Sequence, residues 1–147
     1  MDSSWFDRYV DAWLLHPWAG TPEGEGELKA LFDCFSPTVR YEDVPTASVF
    51  EGHDGIEQMC KLAHEWSSDL EAKVLTRQTT GKLFAFETET SGTNTAAMGG
   101  LPATGRRFVL RGVSVGSVDG QGLVAEQRDY WDLGSFLVQV GVLPAPT

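Results

Sequence analysis

The chain has 147 residues, 41% hydrophobic and 22% charged, and its 11 basic against 21 acidic residues give a formal net charge of −10. That length indicates one domain spanning residues 1–147, with room for a real core. The acidic balance argues against nucleic acid, whose phosphates demand a basic surface, and disfavours anionic membrane surfaces.

No apolar run approaches the ~20 residues needed to span a bilayer. The start, Met-Asp-Ser-Ser-Trp-Phe-Asp, lacks the basic and apolar regions of a signal peptide. A cytoplasmic location is expected. Cys34 and Cys60 fall in different predicted helices without metal-type spacing, so free buried thiols are expected. His16, His53 and His64 are scattered, and no zinc site is predicted. Phosphate-loop, dinucleotide and nucleophile-elbow motifs are lacking, and no metal or cofactor is expected.

Trp5, Phe6, Tyr9, Val10, Trp13 and Leu14 recur at three- and four-residue spacing, which predicts a helix with a broad apolar face. Pro17 and the Gly- and Pro-containing run over 19–26 predict a flexible loop. A second helix is predicted over about 27–35, with Leu28, Leu31, Phe32 and Phe35 on one side and Ser36-Pro37 as its stop. Thr38 to Val44 alternates as a strand, placing Val39, Tyr41 and Asp43 on one face, the inner one, and Arg40 and Glu42 on the other.

After a turn at Gly52-His53-Asp54-Gly55, a third helix with Asp54 as its cap runs to about Ser67. Strands follow over 71–79 and 83–91, then a long loop over 92–105, then strands over about 106–118 and 123–131. Asp119-Gly120 signals the tight hairpin turn between the last two. Leu133, Phe136, Leu137 and Val140 return to helical spacing, with Asp132 at the N-cap. This order defines an α+β fold with helices covering one face of a curved sheet.

Three passages carry a family resemblance. Gly52-His53-Asp54-Gly55-Ile56-Glu57 opens a helix, Gly92-Thr93-Asn94-Thr95 precedes Gly99-Gly100-Leu101-Pro102-Ala103-Thr104-Gly105-Arg106-Arg107, and Arg128-Asp129-Tyr130-Trp131-Asp132-Leu133 ends the last strand. Together they resemble the SnoaL-like polyketide cyclases of the nuclear-transport-factor-two-like superfamily. Across nearly the whole chain, the resemblance implies a cone-shaped, mostly antiparallel sheet covered by about three N-terminal helices, a short C-terminal helix, and a homodimer. It also implies an apolar small-molecule substrate and, at Asp129, an acid/base able to serve intramolecular aldol closure or isomerisation.

The last strand also resembles limonene epoxide hydrolase. That comparison matches Tyr41 to a water-holding Tyr, Asp43 to an Asn, Glu89 to a second carboxylate, and Glu87 to an Arg. The acid between two carboxylates departs from that family, because an acid raises neighbouring pKa values where a cation lowers them.

Three readings remain open. One is an acid/base cyclase or isomerase built on Asp129, Glu89, Tyr41 and Asp43, with Trp131, Phe86, Met98 and Glu87 lining the substrate site. The second is an epoxide hydrolase. The third is a non-catalytic ligand-binding or dimerisation module, since fold alone never implies activity.

Overall fold

Trp5, Phe6, Tyr9, Val10 and Trp13 are all buried along one face of helix α1 (Ser4–Leu14), as their spacing predicts. The computed structural model describes residues 4–97 and 100–146. Where a loop is predicted, a short helix α2 (His16–Ala19) forms instead. Pro17 lies in its first turn, where a missing N–H leaves no helical bond unmade. A 3₁₀ turn (Pro22–Gly24) leads into α3 (Glu25–Phe32).

Strand β1 (Phe35–Asp43) takes Phe35, which the helical pattern had claimed, and leaves Cys34 in the turn before it. Pro37 lies within β1 at the point where the register with the neighbouring strand slips, and an irregular ladder tolerates its missing donor. A turn containing Ala47 at φ 55° leads to β2 (Ser48–Glu51), a strand too short to show in the sequence pattern. Helix α4 (Gly52–Trp66) starts three residues earlier than expected, with Glu51 rather than Asp54 at the N-cap position. Asp54 makes no side-chain cap and lies in the first turn, where its charge suits the helix dipole.

The remaining elements are β3 (Glu71–Thr80), β4 (Leu83–Thr93), β5 (Arg107–Val118), β6 (Val124–Trp131) and α5 (Leu133–Gln139). The Asp132 carboxylate accepts from Ser135 N at 2.8 Å, capping α5 as predicted. The six strands run in the order β2-β1-β6-β5-β4-β3, antiparallel throughout except for the β1–β6 pair. The result is the expected α+β cone. Among the described residues, no helix is long and apolar enough to cross a membrane.

The sheet curls because the inner face of β5 carries almost no bulk at its centre. Gly112, Ser114 and Gly116 alternate there between Leu110 and Val118. A Cβ on Gly116 would lie 2.2 Å from Glu126 O and 2.6 Å from Phe84 Cζ, so only glycine fits. Two apolar clusters fill the cone. One joins α1 to β1, β4 and α4 through residues such as Tyr9, Phe35, Phe84 and Phe86. The other joins Phe108 and Leu110 to Phe136 and Val140, with Trp66 and Trp131 packed against it.

Connecting β4 to β5, the long loop is tied at its ends. Asn94 donates its side-chain amide to Pro102 O and Thr104 Oγ1, both at 3.2 Å, and its N–H to Arg106 O at 2.9 Å. Cys34 and Cys60 are free and buried, as expected.

Candidate active site

Between the two clusters lies a cavity of about 790 Å³. Trp13, Tyr41, Phe50 and Met59 reach it from one cluster, and Trp66, Leu110 and Trp131 from the other. Strand register sets its polar floor. The parallel β1–β6 pair brings Tyr41 opposite Gln127 and Asp43 opposite Asp129, while the antiparallel β5–β6 pair brings Ser114 opposite Asp129. Period-2 alternation points all of these to one face. Arg128 falls on the other face, paired with Glu126 at 3.2 Å.

Asp129 is the hub. Its Oδ1 accepts from Ser114 Oγ at 2.6 Å and from Gln127 Nε2 at 2.8 Å, and its Oδ2 accepts from the Tyr41 hydroxyl. Tyr41 in turn accepts from Trp13 Nε1 at 2.8 Å and Gln127 Nε2 at 3.1 Å, and Gln127 Oε1 takes the Tyr9 hydroxyl. Burial raises the Asp129 pKa to about 6, with the donors from Ser114, Tyr41 and Gln127 opposing the rise and the nearby Asp43 adding to it. Desolvation and the Asp129 charge both hold Tyr41 well above its ordinary range, so the phenol stays protonated. A carboxylate titrating near 6, with one lone pair of Oδ2 still open, can take a proton from a bound molecule and return it.

Asp43 also borders the cavity, fixed by Trp131 Nε1 at 2.7 Å on Oδ1 and by the Thr46 hydroxyl on Oδ2. Asp129, Tyr41, Asp43 and Trp131 are therefore brought together. Glu89 is not. It alternates with the buried Phe86 and Thr88, faces the outside of the sheet, and binds Lys73 and Arg111, both at 3.2 Å. Its bonds from Lys73 and Arg111 lower its pKa, the reverse of what a shared acid/base site needs. Glu87 lies on the same outer face, away from the cavity. The carboxylate set expected for epoxide hydrolysis is thus not assembled.

Phe86 is core rather than cavity lining: it is buried under Trp13, 5.1 Å between ring centroids. Met98 lies outside the described residues.

Several residues of the site carry little signal in the sequence. Gln127 shares a strand face with Asp129 and Trp131, a signal present in the spacing. Ser114 has no local signature beyond its small size between two glycines. Trp13 and Trp66 line the cavity besides Trp131, from helices whose faces read as plain core. His16 does too, and burial lowers its pKa to about 4 against the opposing hydrogen bond to the Trp13 carbonyl.

The chain belongs to the SnoaL-like domain family, which matches residues 6–127 and so stops two residues short of Asp129. No curated protein matches it. Among solved structures, TsrD from Streptomyces laurentii superposes with a TM-score of 0.80 at 23% identity, covering 97% of this chain and 99% of that one. IdmH from Streptomyces antibioticus, a candidate polyketide cyclase, gives 0.70 at 22% identity over 92% and 99%. A protein with a ketosteroid isomerase-like fold from Catenulispora acidiphila, solved with trimethylamine, gives 0.72 at 19% over 95% and 96%.

Proposed function

We propose that this protein is an acid/base enzyme acting on a ring-bearing or polyketide-like ketone, with Asp129 moving the proton. The observation that carries this reading is the Asp129 carboxyl, half-buried at the floor of an aromatic-walled cavity, held by three donors and raised to about 6 by desolvation. Asp129 takes a proton from the carbon beside a carbonyl, and the resulting carbanion attacks a second carbonyl of the same molecule. The carboxyl then returns the proton to the new alkoxide, so the net change is a cyclisation. Without the attack, return of the proton to a different carbon is an isomerisation. Ser114, Tyr41 and Gln127 hold the carboxylate in place, and the apolar walls fold the substrate into a reactive shape. Asp43, fixed by Trp131, supports the raised pKa through its charge.

Solvent exchange tests this without knowledge of the natural substrate. Cyclic ketones and β-diketones are incubated in deuterated water, and loss of the proton beside the carbonyl is followed by NMR. Wild type is expected to accelerate exchange at least a hundredfold over a folded Asp129→Asn variant. Equal rates for the two proteins across the panel rule the reading out.

A non-catalytic binding module is the competing reading, favoured by one feature: every hydrogen-bonding atom of Asp129 already serves Ser114, Tyr41 or Gln127. In that case the same substitution alters stability and leaves exchange at the buffer rate. Two copies are expected to pair through the outer sheet face, where Val109, Val113 and Tyr130 are exposed, and light scattering over a concentration series checks it.

A further inference from the structure

His16 borders the cavity but takes no part in the network around Asp129. Its position follows from the sequence. In an uninterrupted helix the carbonyl of Trp13 would accept from the residue four places on, and that residue is Pro17, which has no N–H. The His16 ring fills the vacancy, with Nδ1 2.7 Å from Trp13 O and the imidazole packed at a tilt beside the Trp13 indole, 4.8 Å between centroids. A carbonyl only accepts, so Nδ1 carries the hydrogen. The neutral ring then leaves Nε2 as an acceptor, and it has no protein partner among the described residues. Burial keeps the ring neutral at physiological pH.

The same tryptophan serves the other polar group of the cavity. Its ring packs beside His16, tilted by 44°, while its N–H reaches Tyr41 at 2.8 Å, and Tyr41 donates to Asp129. His16 and Asp129 thus line one cavity, linked through Trp13 and Tyr41. His53, by contrast, stacks on Phe32 and bonds Phe35 O at 3.0 Å, away from the cavity.

We propose that His16 Nε2 is a ligand-binding acceptor that takes a hydrogen bond from a hydroxyl of the ring-bearing ligand, selecting phenol- or enol-type rings over ethers and bare hydrocarbons. This rests on the acid/base reading only for where the ligand sits.

The test compares 1-naphthol with 1-methoxynaphthalene, which share a ring system but differ in the donor, by calorimetric titration of the full chain. Wild type is expected to bind the naphthol about fivefold to tenfold more tightly. In His16→Phe, which keeps a ring on Trp13, that preference falls to about one while affinity for the methyl ether is unchanged. On the wild-type protein, the ¹⁵N resonance of His16 Nε2 moves with naphthol and stays fixed with the ether, a readout that needs no variant.

A preference that persists in His16→Phe, an unmoved Nε2 signal, or failure of wild type to bind either compound overturns the proposal. If the preference instead disappears only in Asp129→Asn, the hydroxyl binds the carboxylate: the His16 assignment fails and the acid/base reading stands. Loss of the preference in His16→Phe, together with equal solvent exchange in wild type and Asp129→Asn, upholds the His16 subsite and removes the chemistry.

Discussion

The single hydroxyl hydrogen of Tyr41 is committed to Asp129, because both remaining valences of that oxygen are taken by donors, Trp13 Nε1 and Gln127 Nε2. The phenol cannot turn toward a ligand without breaking this set. Tyr41 thus acts on the carboxylate, fixing its orientation and favouring its charged form. Proton transfer is left to Asp129 itself.

Replacing Tyr41 with Phe removes an acceptor from Trp13 Nε1, which has no other partner among the described residues, while Gln127 Nε2 retains Asp129. One buried donor left unpaired costs about 1–3 kcal/mol. Asp129 loses a donor that holds its pKa down, so its titration moves above about 6. Urea unfolding and a carboxyl-resolved NMR titration check both, and an unmoved midpoint shows that the Tyr41 bond contributes nothing to the carboxylate.

Asp129 also sets a pH dependence of stability with a definite sign. With a folded pKa of about 6 against an ordinary 3.8, the native state keeps a proton that the unfolded chain releases. This group's contribution is complete below about pH 4 and is lost as pH rises through 6, which is opposite to a salt-bridged Asp. The gap corresponds to ~3 kcal/mol. Asp129→Asn, which never ionises, should therefore gain on wild type by roughly that amount between pH 4 and pH 8 in urea unfolding. A difference that stays flat with pH would falsify the raised pKa.

The elements that position the site were legible where a periodic pattern was long. The aromatic stripe of α1, the inward face of Val39, Tyr41 and Asp43, and the strand-to-helix passage around Asp129 all follow from spacing alone. Strand β2 has only four residues, and α2 begins at a proline-interrupted turn, so neither offers enough periods to read. Glu87 and Glu89 were misplaced for a different reason. Resemblance assigned them to the site, whereas alternation with Phe84 and Phe86 already put them on the far face. Ser114, Gln127 and His16 join the site through register across strands and a carbonyl freed by Pro17, relationships that exist only once the chain has folded.

Because Glu89 is held by Lys73 and Arg111 on the outer face, it has no path to a molecule in the cavity. Surface pairs of this kind contribute little. Glu89→Gln is expected to match wild type in melting temperature and in solvent exchange. A loss of exchange comparable to that of Asp129→Asn would return Glu89 to the chemistry.

The floor of the cavity depends on a strand whose inner face is nearly bare at its centre. At Gly116 a Cβ would meet Glu126 O at 2.2 Å and Phe84 Cζ at 2.6 Å, the first a backbone atom of the neighbouring strand that cannot turn aside. Gly116→Val must push β5 and β6 apart, and those strands carry Ser114 and Asp129. Overpacking of this kind costs about 3 kcal/mol, and the displaced carboxylate should lose its raised pKa as well. Gly120→Ala in the β5–β6 turn, where an added Cβ meets nothing within 4 Å, provides the contrast and should leave both stability and titration unchanged. Urea unfolding of the two variants measures the first effect and NMR titration of Asp129 the second. If Gly116→Val kept the titration of wild type, the carboxylate environment would be set by its hydrogen bonds rather than by the curvature of the sheet.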